Sequence, residues 1–205
     1  EVSRDHQRVW VLLWLPILLS IWLSTIRCQV VTFLCLALLQ RILIQYQQQS
    51  HWWLYLLPPL FVIWANSHGG VVFGFGLLGL YSLLRLSKME VLPLLVAAVS
   101  LLGIATINPY GPEYVLVLVN SALMKRELIW EWSPLPLFSG VGLLWITLLA
   151  VSVSGAYLRW QRTRQLSFEL LIFLIPSVIA GFTSQRLTPL AAVTALIFAT
   201  REFAS

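Results

Sequence analysis

Long apolar runs separated by short polar segments repeat along the whole chain. Runs at about 9–26, 28–46, 91–107, 137–158, 166–184 and 187–201 have helical length and lack the strict alternation of a half-buried strand. They predict α-helices. Taken as one helix, the stretch from Trp52 to Leu86 would be roughly 50 Å long at about 1.5 Å per residue, well beyond a bilayer. It is interrupted by Asn66-Ser67-His68-Gly69-Gly70, and so predicts two short helices, 52–67 and 70–86, meeting at the interruption. Eight apolar helices result. Between Tyr114 and Trp130 the chain is apolar and then basic, which predicts a helix lying in a membrane interface, with a further short span as the alternative.

Composition turns this pattern into a class. The 205 residues are 59% hydrophobic and 10% charged, where a soluble domain carries roughly 25% charged residues. A water-soluble globule is excluded, and the expected fold is an all-α polytopic integral membrane helix bundle of about seven or eight transmembrane helices, one domain over 1–205. The net charge of +5 does not indicate nucleic acid, because the 13 basic residues are scattered between apolar segments. Cys28 and Cys35 lie about 10 Å apart along one predicted helix, beyond disulfide reach, and no zinc site follows from them. The chain opens Glu-Val-Ser-Arg-Asp with neither Met nor signal peptide, which reads as a processed protein or a fragment of a larger one.

The basic residues also orient the helices. Arg4, Arg8, Arg41, Arg85, Lys88, Arg159, Arg162, Arg164 and Arg201 fall on the side of the termini, and Arg27, Lys125, Arg126 and Arg186 fall opposite. The positive-inside rule makes both termini cytoplasmic. The polar segments around Asn66 and His68, Asn108 to Glu113, and Glu131 to Pro134 then face the extracytoplasmic side with Arg27 and Arg186. Trp52, Trp53, Trp130, Trp132 and Trp160 suit interfacial belts.

Each polar segment has a chemical and an architectural use. Asn66 bonds freed backbone groups, and His68 offers a donor and an acceptor at membrane depth; both also serve simply to cap a broken helix. Gly70 and Gly74 have the spacing of helix packing. Asn108-Pro109-Tyr110-Gly111-Pro112-Glu113 stops a helix, and Tyr110 and Glu113 are secondary candidates for substrate contact. Glu131, framed by Trp130 and Trp132, has the setting of a sugar-contacting carboxylate or of a rim partner to Lys125 or Arg126. Arg186 and Arg27 suit a lipid phosphate, through two parallel hydrogen bonds, or ordinary snorkelling to phospholipid.

The order Ile-Arg-Cys-Gln at 26–29, Trp-Ala-Asn-Ser-His-Gly-Gly at 64–70, Asn-Pro-Tyr-Gly at 108–111, Glu-Trp-Ser-Pro at 131–134 and Ser-Gln-Arg-Leu-Thr-Pro at 184–189 resembles bacterial polytopic proteins of the GT-C glycosyltransferase superfamily. The resemblance spans about 27–195 and is most specific at His-Gly and Asn-Pro-Tyr-Gly. It implies a membrane enzyme whose donor is a polyprenyl-phosphate-linked sugar, with membrane lipids as surroundings and its centre on the extracytoplasmic face. No other cofactor is identified. His68 and Glu131 match as catalytic candidates, and Asn66, Asn108, Arg186 and Arg27 as substrate-binding ones. Two departures stand out. Cys28 replaces the Pro that follows the family's first Arg, and the sole Asp, Asp5, falls on the cytoplasmic side, so the acidic residue expected in a first external loop is absent from this chain. The alternative expectation is a non-catalytic accessory subunit of a larger membrane protein assembly.

Overall fold

A computed structural model describes residues 29–86, 89–124, 128–164 and 170–204. Among the described residues the regular structure is entirely helical. Eight α-helices follow in order: α1 (Gln29–Gln48), α2 (Leu57–Ser67), α3 (Val71–Leu86), α4 (Leu92–Ile107), α5 (Glu113–Leu123), α6 (Gly140–Thr163), α7 (Ile175–Thr183) and α8 (Thr188–Ala204). The predicted helix at 9–26, and Arg27, lie outside the described residues. By their contacts these residues fall into two compact units, one within Arg27–Lys125 and one within Arg126–Ser205, where the sequence predicts one domain.

Prolines explain where the helices depart from the predicted boundaries. The predicted helix 52–67 begins as a tight 3-10 turn, His51–Leu56, because Pro58 and Pro59 have no amides to bond the carbonyls one turn back. Regular α-geometry resumes with those prolines in the first turn of α2, where no amide is needed. The predicted helix 166–184 is a π-turn, Leu170–Leu174, followed by α7, and Pro176 again removes an amide at the junction. Pro93 opens α4 in the same way as the prolines of α2.

In the first unit, Leu36, Leu39, Leu43, Phe61, Trp64, Leu78, Tyr81 and Ile104 from α1 to α4 are fully buried. The outward faces reverse the pattern of a soluble bundle. α1 exposes Val30, Leu34 and Leu38 and buries Gln29, Thr32, Gln40 and Gln45. α4 exposes Leu94, Leu95, Val99 and Leu102 and buries Ser100, whose hydroxyl donates to the Val96 carbonyl at 2.7 Å.

In the second unit, α8 packs along α6 and α7, with Trp145, Leu148, Ala191 and Ala195 at the centre. The Ser152 hydroxyl of α6 lies 3.2 Å from the Ala195 carbonyl of α8. α6 exposes Leu143, Ile146 and Val153. α1, with 20 residues, and α6, with 24, are long and apolar enough to cross a membrane; the other α-helices run 9–17 residues.

Candidate functional site

In the first unit α2 stops at Ser67, and His68 takes extended backbone angles, φ −161° and ψ 138°, while its amide still bonds the Trp64 carbonyl at 2.8 Å. α3 restarts at Val71. The half-buried His68 ring faces back onto the break. Its Nδ1 accepts the Gly70 amide at 3.0 Å and lies 2.7 Å from Thr32 Oγ1 of α1. The Trp64 indole N–H donates to the same Thr32 oxygen at 2.9 Å. A Cβ on Gly70 would stand 2.4 Å from Thr32 Oγ1 and 2.8 Å from His68 Nδ1, so glycine is needed there for close approach.

The Ala65 carbonyl at the break is bonded from α5, and the Asn66 side chain is bonded from the Asn108 turn. The Tyr114 hydroxyl donates to the Ala65 carbonyl at 2.7 Å. Asn108 Nδ2 donates to Asn66 Oδ1 at 3.1 Å, and Asn66 Nδ2 donates to the Val62 carbonyl at 2.9 Å. Asn108 Oδ1 accepts the Tyr110 amide at 3.0 Å, and the turn closes on Gly111, whose φ of +61° is left-handed and favours glycine. Side-chain and backbone dipoles, rather than an ion pair, make all of these bonds.

In the second unit the break between α7 and α8 has the same local form. Ser184 is extended, φ −154° and ψ 130°, and its Oγ accepts the Arg186 amide two residues on at 3.2 Å, as His68 Nδ1 accepts Gly70. The Trp130–Trp132 turn lies along this break. Arg186 N–H donates to the Glu131 carbonyl at 2.8 Å, and Gln185 N–H to the Ser133 carbonyl at 3.0 Å. Here the side chains are ionic: Arg186 Nη1 meets Glu131 Oε2 at 3.2 Å, and the guanidinium lies 5.4 Å from the centre of the Trp132 ring. The two charged side chains remain 31% and 25% exposed.

The chain matches no family model, no curated protein and no solved structure. Geometry therefore carries the site. It brings Asn66 and Asn108 into direct contact, joins His68 to Thr32, and pairs Glu131 with Arg186. Arg27, and the Lys125 and Arg126 weighed as partners of Glu131, lie outside the described residues. Gly74 serves packing, because a Cβ there would be 2.4 Å from the Trp64 ring. Tyr110 is 74% exposed and stacks on Tyr114 at 6.1 Å.

Sequence reasoning passed over Thr32 and the Tyr114 hydroxyl. It also missed a network at the far end of α3. Glu90 accepts Arg85 Nη1 at 3.0 Å and the Tyr46 hydroxyl at 2.8 Å, and Arg85 Nε donates to the Tyr81 hydroxyl at 3.1 Å. The charge opposition of Arg85 and Glu90 five residues apart across a helix end is a readable signal. A lone threonine in an apolar helix offers none.

Proposed function

We propose that this chain is a polytopic membrane glycosyltransferase of GT-C type, transferring sugar from a polyprenyl-phosphate-linked donor on the extracytoplasmic face. The observation that carries this reading is the half-buried Arg186, held on the Trp132 ring and against Glu131 at the α7–α8 break. A guanidinium so fixed has a planar set of donors suited to phosphate oxygens, and it stabilises the charge that a departing lipid phosphate develops. Glu131 and the ring of Trp132 beside it have the chemistry of a sugar contact, a carboxylate for hydroxyls and an aromatic face for the pyranose. His68, in the first unit, is the alternative candidate for contact with sugar or acceptor, and Asn66 and Asn108 hold its own break in shape. The membrane setting is supported by α1 and α6 and by the outward apolar faces of α1, α4 and α6.

The test is sugar transfer by the full chain in proteoliposomes with a polyprenyl-phosphate sugar. Replacing His68 and Glu131 together by Gln lowers the rate by at least about a hundred-fold, the ordinary contribution of positioned acid–base groups. Unchanged transfer overturns the assignment.

One observation favours the accessory-subunit reading instead. The Glu131 carboxylate, an acidic residue on the motif side, is engaged by Arg186, and the only Asp of the chain is Asp5. Recovery as a stoichiometric subunit of a membrane complex, with no transfer activity in that complex, would support it.

A further inference from the structure

The outward face of α6 changes chemistry along its length. Leu143, Ile146, Val153, Tyr157 and Trp160 are exposed, and their spacings of three, seven, four and three keep all of them on one side of the helix. The first three are aliphatic. Tyr157 and Trp160 follow with amphipathic rings, and the exposed Arg162 and Arg164 end the series. From Gly140 to Trp160 the helix rises about 30 Å at about 1.5 Å per residue, the thickness of a bilayer's hydrocarbon layer.

Side-chain contacts hold the cationic end of this stripe in place. Arg164 closes the helix in the left-handed region, φ 56° and ψ 19°, a position ordinarily taken by glycine, and its amide bonds the Trp160 carbonyl at 2.8 Å. Its guanidinium lies 4.9 Å from the centre of the Trp160 ring, Trp160 lies 6.2 Å from the Tyr157 ring, and Gln161 Nε2 donates to the Tyr157 hydroxyl at 2.6 Å. Among the described residues neither Arg162 nor Arg164 has a carboxylate partner, so their positive charges stand uncompensated. This end is remote from the Arg186 break. Gly181, just before that break, meets Trp145 in the second turn of α6, whereas Arg164 follows the last turn.

We propose that the C-terminal end of α6 is a binding site for anionic phospholipid, in which Arg162 and Arg164 take the headgroup phosphate and the outward stripe takes an acyl chain. The order along the stripe carries this choice of occupant. Aliphatic, then aromatic with a polar edge, then cationic is the sequence of hydrocarbon, interface and headgroup that a lipid presents. A second helix packed on this face would call for apolar or paired side chains up to the last turn. The uncompensated charge selects an anionic headgroup, because the ammonium of a zwitterionic one cancels the phosphate charge that the guanidinium groups attract. The proposal rests on the membrane setting of α6 and is independent of sugar transfer.

The experiment is native mass spectrometry of the full chain in detergent, with equal amounts of phosphatidylglycerol and phosphatidylcholine carrying the same acyl chains. Wild type is expected to retain phosphatidylglycerol about ten-fold over phosphatidylcholine. Arg162→Gln combined with Arg164→Gln is expected to bring that ratio close to one, and Arg186→Gln to leave it unchanged. A wild-type ratio near one overturns the proposal without any variant, so a failure of the double variant to fold does not protect it. A preference that survives the double variant, or that falls with Arg186→Gln instead, overturns the location. Displacement of the bound lipid by millimolar glycerol phosphate overturns the part of the acyl chain, and a dimer with no lipid preference assigns the stripe to a second copy and overturns the whole. Selective binding by a chain inert in sugar transfer overturns the enzymatic function and leaves the lipid site supported, whereas active transfer without the preference does the reverse.

Discussion

The two helix breaks, one in each unit, use one backbone device with different electrostatics. In both, the last helical residue gives way to an extended one whose side chain accepts the amide two positions on, and a new helix begins within four residues. In both units a glycine lies close against the ring of a buried tryptophan, Gly74 at Trp64 and Gly181 at Trp145. The first break is then completed by neutral groups, Thr32, Asn66, Asn108 and Tyr114. The second is completed by a carboxylate and a guanidinium. Low dielectric surroundings explain why the backbone solution recurs: each freed N–H and C=O needs a partner whatever its neighbours do. The side chains are then the place where the two breaks differ in what they can bind. A neutral, directional cluster suits hydroxyls, and a half-exposed cation suits an anion.

Four experiments test this comparison. The largest effect is expected from its shared part. Gly74→Ala places a Cβ 2.4 Å from the Trp64 ring, and Gly181→Ala one 2.7 Å from the Trp145 ring. Overpacking of this kind costs about 1–3 kcal/mol, so both should unfold at lower denaturant in detergent solution, Gly74→Ala the more so. Equal stability to wild type would show that the breaks do not depend on that approach.

Glu131→Gln should come next, at about 1–2 kcal/mol, less than a fully buried pair because both side chains are partly exposed. A double-mutant cycle with Arg186→Gln measures the coupling, and additive losses would mean that the ion pair does not hold the break. Asn108→Ala removes the bond to Asn66 and the acceptor for the Tyr110 amide, and should cost about 1 kcal/mol. The smallest effect is the response to salt. Raising ionic strength should weaken the Glu131–Arg186 coupling by roughly half a kcal/mol or less and leave the Asn66–Asn108 coupling unmoved. Equal sensitivity in both would remove the electrostatic distinction.

Much of the helical architecture was legible from apolar run lengths and from a few punctuating residues. Gly69 and Gly70 mark the first break, Asn108 and Pro109 the end of α4, and the helix at 92–107 falls within a residue of its prediction. The exceptions are local to proline. Pro58, Pro59 and Pro176 change hydrogen-bond register without changing hydrophobicity, so the 3-10 turn at His51–Leu56 and the π-turn at Leu170–Leu174 left no mark in the apolar pattern. Of the helix predicted over Tyr114 to Trp130, α5 covers Glu113–Leu123, and Met124, Leu128 and Ile129 lie outside it.

The site was legible as residue types but not as pairs. Asn66, His68, Asn108, Glu131 and Arg186 stand out because polar groups amid apolar runs need a reason. The Glu131–Arg186 partnership spans fifty-five positions and depends on the Trp130–Trp132 turn lying along the α7–α8 break, which no local spacing encodes. Thr32 was invisible for the opposite reason, since a threonine inside a helix is unremarkable until Trp64 and His68 converge on it.

The most direct test of the account is retention of polyprenyl phosphate by the purified full chain, read by native mass spectrometry of wild type, Arg186→Gln and His68→Gln. The charged break is expected to hold the phosphate. Arg186→Gln should therefore lose at least about ten-fold in retention, while His68→Gln should keep the lipid. Equal retention by wild type and Arg186→Gln would contradict the assignment of the phosphate to the second break.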